Sequence, residues 1–132
     1  MRLFFLSLCC FIFCFNAQAQ SVQSMSDAEQ LGMMAGLATA CGAEKKLADF
    51  ELISARLLAN ASPSEESEKQ KTWQYMKAKW DAMKQQQQSA PVSCSEILER
   101  FNNLPIFNSV VYKDGSVKLP DNTWSKPLRP LK

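Results

Sequence analysis

The chain has 132 residues, 46% of them hydrophobic, with 15 basic and 13 acidic side chains and a formal net charge of +2. That length fits one ordinary domain, and so small a net charge leaves no electrostatic footprint for nucleic acid or for a membrane surface. Histidine is absent, which removes the most versatile general base near neutral pH and the commonest metal ligand.

The first segment carries one positive charge at Arg2, an apolar run from Leu3 to Phe15 broken only by Ser7, and the small-residue end Ala17-Gln18-Ala19. This is the pattern of a secretory signal peptide cut after Ala19. The run is well short of the roughly 20 apolar residues a membrane-spanning helix needs, so no stable membrane insertion is expected after cleavage. A periplasmic or secreted location follows, with a bacterial periplasm suiting the Ala-x-Ala end best and another secretory route as the alternative. Cys9, Cys10 and Cys14 leave with the signal; each follows a bulky or sulfur-bearing residue, which argues against lipidation. The expected organisation is a signal peptide over 1–19, a helical domain over 20–104, and a hairpin with a Pro-rich tail over 105–132.

Two cysteines remain, Cys41 and Cys94, with no C-x-x-C spacing. In an oxidising compartment such a pair is expected to form one structural disulfide. A zinc site would need both together with carboxylates at no recognisable spacing, so neither metal nor cofactor is expected.

Ser26 followed by Glu29 has capping-box spacing and predicts a first helix from about Asp27 to Cys41, stopped by Gly42. Ala28, Gly32, Gly36 and Ala40 recur along it every four residues, with no charge between Glu29 and Glu44. A helix apolar nearly all round is normally buried, and a stripe without side-chain bulk lets another backbone approach closely. Packing inside the domain is the plain reading of Gly32 and Gly36; a docking groove or a homodimer seam is the functional one. A second helix, about Ala43 to Asn60, places Leu47, Phe50, Ile53, Leu57 and Leu58 on one face and charges on the other.

Ser62-Pro63-Ser64-Glu65 predicts the next start, with Ser62 as cap and Pro63 at the first helical position. The third helix, to about Gln88, carries Trp73, Met76, Trp80 and Met83 at steps of three and four. Glu65, Glu66 and Glu68 match the helix dipole at its start and are expected at the surface. The Trp-Met seam is expected in the core, with an adaptable binding groove as the alternative. Gln85 to Gln88 is expected to fray or to extend the helix into solvent. Ser93 with Glu96 repeats the capping-box spacing and opens a fourth helix that ends near Asn103.

Beyond Pro105, Val110 to Lys113 and Ser116 to Leu119 flank Asp114-Gly115, a strong hairpin signal. Pro120, Pro127 and Pro130 with Lys126, Arg129 and Lys132 then read as an extended basic tail, disordered or used as a partner-binding arm anchored by Trp124. Together these elements predict an all-α fold, a small antiparallel four-helix bundle with one disulfide, followed by a short hairpin and the tail. An up-down-up-down order puts Cys41 and Cys94 at the same end.

No phosphate-cradling glycine loop, G-x-S-x-G elbow or cysteine–histidine pair occurs. Asp49, Asp81, Glu96 and Glu99, the acids nearest the apolar faces, read as surface residues, so the protein is not expected to be an enzyme. The expected function is an exported protein-binding module, in the class of secretion or pilus assembly accessories, immunity proteins and envelope-enzyme inhibitors. In layout alone the chain resembles the small helical disulfide-bearing pilotins and effector-immunity proteins of Gram-negative bacteria. A periplasmic stress chaperone and a structural part of an envelope complex are the alternatives. The partner is another protein, not nucleic acid, and the candidate contacts are Gly32, Gly36, Trp73, Met76, Trp80, Met83, Tyr112 and Trp124.

Overall fold

The structure is a computed structural model and describes residues 25–130; the signal-like segment, the expected cleavage after Ala19 and Cys9, Cys10 and Cys14 lie outside the described residues. Four helices, α1 (Asp27–Ala40), α2 (Lys45–Asn60), α3 (Glu65–Ser89) and α4 (Cys94–Asn102), precede a 3-10 turn at Pro105–Asn108 and three short strands. The chain is mostly helical, and the strands β1 (Val110–Val111), β2 (Val117–Lys118) and β3 (Trp124–Ser125) form one antiparallel sheet.

The helix ends follow from local hydrogen-bond chemistry. The Ser26 hydroxyl accepts from the Glu29 amide at 3.3 Å, and the Glu29 carboxylate accepts from the Ser26 amide at 2.9 Å. At the other end of α1, Gly42 adopts φ +79° and lets the Ala43 amide donate to the Ala38 carbonyl at 2.9 Å, a Schellman closure that suits glycine. The start of α3 departs from expectation by two residues. Ser64 is the cap, accepting from the Ser67 amide at 3.1 Å, while the buried Ser62 hydroxyl turns back to donate to the Leu58 carbonyl of α2. Ser93 caps α4 by accepting from the Glu96 amide, but the Glu96 carboxylate turns to Arg100 at 2.5 Å and leaves the box half made.

The main helix contact is between α1 and α3, which run parallel, Gly32 lying against Tyr75 and Gly36 against Lys79. A Cβ on Gly32 would run into the Tyr75 carbonyl and come within 3.1 Å of the Ala78 methyl; on Gly36 it would meet the Lys79 carbonyl and lie 3.0 Å from the Ala82 methyl. The small stripe is thus the seam along which two backbones meet. Two further contacts fix α2 and α4. Phe50 is fully buried at 5.2 Å from the Phe101 ring, and Phe107, delivered by the 3-10 turn, stacks edge-on to Phe101 at 5.4 Å. The Cys41–Cys94 disulfide, with a Cα separation of 5.2 Å, ties the end of α1 to the start of α4. Closing that 53-residue separation contributes on the order of 4 kcal/mol in the chain-entropy description.

Three expectations are corrected. The glutamines extend the helix and do not fray: Gln85, Gln87 and Gln88 are exposed, but Gln86 is buried and its amide donates to the Val92 carbonyl at 2.6 Å, so α3 stays helical to Ser89. The expected hairpin forms, β1 pairing antiparallel with β2, but Asp114-Gly115 is not a two-residue loop, since only Gly115 takes positive φ and the Asp114 carboxylate accepts from the Ser116 amide and hydroxyl. Nor is the C-terminal segment a loose tail. Trp124 lies in β3, and Arg129 forms ion pairs with Glu65 and Glu68 at the start of α3. The Asn60 amide, buried at the end of α2, donates to Gly115 at 2.9 Å and to Ser125 at 3.1 Å and fastens the sheet to the helices.

Gly36→Ala should lower stability by about 1–3 kcal/mol in urea unfolding, although alanine is the better helix former, because the new methyl meets backbone that has little room to move. A stability gain would mean the two helices can separate at no cost.

Hydrogen bonds hold the Asp114 and Asp121 carboxyls below their usual range, from the Ser116 hydroxyl and amide in one case and the Thr123 hydroxyl and amide in the other. A depressed carboxylate contributes stability above its unfolded pKa, about 4, and that stability is lost as pH falls through the lower folded value. Wild type should therefore exceed Asp114→Ala/Asp121→Ala in thermal midpoint at neutral pH, and the gap should shrink as pH falls below about 4. A gap independent of pH would assign the loss to packing.

Candidate protein-docking surface

The Trp-Met seam does not face the core. Helical geometry advances about 100° per residue, so the α1-facing positions Tyr75, Ala78, Lys79, Ala82 and Gln86 occupy one side of α3 while Trp73, Met76 and Trp80 sit roughly 120° round from it. Trp73 is 63% exposed, Met76 61% and Trp80 58%. Met83, nearer the buried side, is half-buried. Since small residues make the α1 contact, the large ones are turned outward, and a seam expected inside forms a ridge on the surface.

Shallow grooves flank the ridge. One, of about 600 Å³, lies between the end of α2, the first half of α3 and the C-terminal segment, and Arg56, Lys69, Trp73, Met76, Pro127 and Arg129 line it. The other, of about 270 Å³, runs between α1 and α3 and brings Met25 and Met33 to the opposite side of Trp73. The cations differ in their commitments. Lys77 pairs with Asp81 at 2.6 Å, Lys79 with Glu51, and Arg129 with Glu65 and Glu68. Lys84 lies over the Trp80 ring at 5.9 Å, whereas Arg56 and Lys69 make no ion pair among the described residues.

The other candidates divide. Gly32 and Gly36 are buried against α3 and unavailable to a partner. Tyr112 and Trp124 are exposed and stack at 5.2 Å, making a small aromatic patch apart from the fully buried Val117. Cys41 and Cys94 are held in the disulfide. Tyr75, beneath the ridge, keeps a buried hydroxyl without a hydrogen-bond partner; burial first, and Glu51 second, push the phenol above its ordinary pKa. Sequence patterning missed Arg56 and Lys69 because neither belongs to a motif; only the fold sets them beside Trp73.

Among the described residues no group of three or more His, Cys, Asp or Glu is placed to hold a metal ion, and no helix is long and apolar enough to cross a membrane. Comparison with known protein families, curated protein sequences and solved structures returned no match.

If the ridge carries no structural load, Trp73→Ala/Met76→Ala/Trp80→Ala should shift the unfolding free energy by less than about 1 kcal/mol, whereas Phe50→Ala alone should cost about 3–5 kcal/mol. Denaturant unfolding of both variants checks this. A large loss in the triple variant would return the ridge to the core.

Proposed function

We propose that this protein is an exported, non-enzymatic protein-binding module in which a small antiparallel four-helix scaffold presents the α3 ridge to another protein. One observation carries the reading: two tryptophans and a methionine stand more than half exposed in a row on one helix face. Monomeric soluble proteins rarely leave a large contiguous apolar patch uncovered, and Trp and Met are enriched where proteins meet. Tryptophan in particular supplies a large contact area and is common among the residues that dominate binding energy. A rigid platform adds to the case, since α3 is held along its opposite side by α1 and loses little conformational freedom on docking. Export is supported by the signal-like opening and by the disulfide, which persists in oxidising compartments.

The test is photo-crosslinking of the oxidised protein in its native compartment, with the crosslinker placed at Met76 and the captured protein identified by mass spectrometry. One defined partner at fixed stoichiometry is expected from Met76, and none from a crosslinker at Lys113 in the β1–β2 turn. Indiscriminate capture, together with suppressed aggregation of unrelated unfolded clients, would favour the chaperone reading. Capture from the turn position alone would move the interface to the Tyr112–Trp124 patch.

A further inference from the structure

We propose that Met25, Met33 and Met76 form a site of reversible methionine oxidation around Trp73, through which an oxidant turns this surface from apolar to polar; its effect on binding rests on the docking reading above. The observation is where the sulfurs lie. Of the five methionines among the described residues, Met25 is 42% exposed, Met33 37% and Met76 61%, whereas Met34 and Met83 are half-buried. All three exposed ones line the grooves on either side of Trp73, Met25 and Met33 the one between α1 and α3, Met76 the one beside the C-terminal segment. Met76 is distant in the chain from the other two, and the α1–α3 seam brings them to one tryptophan.

The chemistry open to these side chains follows from what else the protein offers an oxidant. Cys41 and Cys94 are joined, so no described residue carries a free thiol. The exposed thioethers are then the soft, polarizable sulfurs within reach. Hydrogen peroxide transfers one oxygen to such a sulfur: its lone pair forms the S–O bond, the O–O bond breaks, and the second oxygen leaves as water with both hydrogens. Sulfur loses two electrons and the peroxide gains them. A dithiol-dependent sulfoxide reductase reverses the step, giving the thioether, water and a disulfide in the reductant.

Met33 and Met34 show the contrast within two consecutive residues. Met34 packs against the Phe50–Phe101 cluster, so a sulfoxide there would disturb the core. Met33 lines the groove beside Trp73, where the same change alters the surface alone. Met76 likewise stands on the exposed face between Trp73 and Trp80. A sulfoxide is polar, and covering it with a partner that offers no donor forfeits its hydrogen bonds to water. Each sulfoxide covered in that way should weaken docking about tenfold. The switch acts on the binding face and leaves the fold in place.

The experiment treats the disulfide-bonded protein with graded hydrogen peroxide, removes the peroxide, and maps sulfoxide residue by residue by mass spectrometry. Retention on a phenyl-substituted resin reads how apolar the surface is, and capture by a photo-crosslinker at the exposed Thr72, in the groove beside Trp73, reads docking. Met25, Met33 and Met76 should convert about threefold or more faster than Met34 and Met83, with circular dichroism and thermal midpoint unchanged at that stage. Retention should fall and captured partner should drop about tenfold, and both should return after treatment with sulfoxide reductase. Met25→Leu/Met33→Leu/Met76→Leu keeps the apolar bulk without an oxidisable sulfur, and should hold its retention and its partner through the same treatment. Conversion of Met34 and Met83 at the same rate, or unfolding in step with oxidation, would make this general damage and overturn the proposal. A leucine variant as sensitive as the wild type would overturn it too. Selective conversion with undiminished capture overturns the switch and leaves the docking reading intact. Absence of capture from untreated protein counts against the docking reading alone, and the sulfoxide map and the retention still decide the site.

Discussion

Everything distinctive in this molecule depends on how closely α1 approaches α3. Gly32 and Gly36 have no side chain, and the Tyr75 and Lys79 carbonyls occupy the space where a Cβ would stand. Each glycine costs about 1 kcal/mol in a helix interior, so both helices must recover that loss through backbone contact and dispersion over the whole seam. The outcome is a parallel pair joined by small residues, Gly32 and Gly36 on α1 against Ala78 and Ala82 on α3, while Ala35 and Ala38 of α1 are buried against Phe50 and Phe101.

That choice of seam dictates the surface. A helix has one side to give to its closest neighbour, and α3 gives the side of Ala78 and Ala82, not the side of its tryptophans. The aromatic core forms elsewhere, from Phe50, Phe101 and Phe107, which come from α2, α4 and the 3-10 turn and need no residue of α3 larger than Tyr75. The phenylalanine cluster supplies the bulk and the glycine seam supplies the closeness, which leaves Trp73, Met76 and Trp80 more than half exposed. The disulfide completes the separation of roles by holding α4, and with it Phe101, against the end of α1.

Features governed by near neighbours in the chain were legible without the fold. Ser26 with Glu29 and Gly42 with Ala43 do what their spacing predicts, and Ser93 makes its half of the predicted box, since a cap is closed within a few residues. The Cys41–Cys94 pair was legible from arithmetic and compartment. The orientation of α3 was not. Periodicity shows that Trp73, Met76 and Trp80 share a face, but it is silent on which of two stripes the neighbouring helix chooses, and Tyr75, Ala78, Lys79 and Ala82 have too little hydropathy to register as one. Gln86 and Trp124 misled for the opposite reason: a polar residue found a partner in Val92, and a tryptophan among prolines found a place in a strand. The cations beside the ridge were beyond reach because Arg56 is brought to Trp73 by the α2–α3 turn alone.

Magnitudes set what such a ridge can accomplish. Burying a large apolar side chain is worth about 1.5–3 kcal/mol, so covering Trp73, Met76 and Trp80 would release on the order of 5–9 kcal/mol at most, and less because each is already partly covered. Losing translational and rotational freedom on association costs about 4–15 kcal/mol, so the three side chains by themselves come near to balance. Tight binding through this surface therefore requires the partner to fill both flanking grooves or to arrive already ordered. Exposed ion pairs add only about 0–1 kcal/mol each, so the mixed charges around the ridge would act more on encounter rate than on final affinity. Apolar contact would therefore have to supply most of whatever affinity this surface has for a partner.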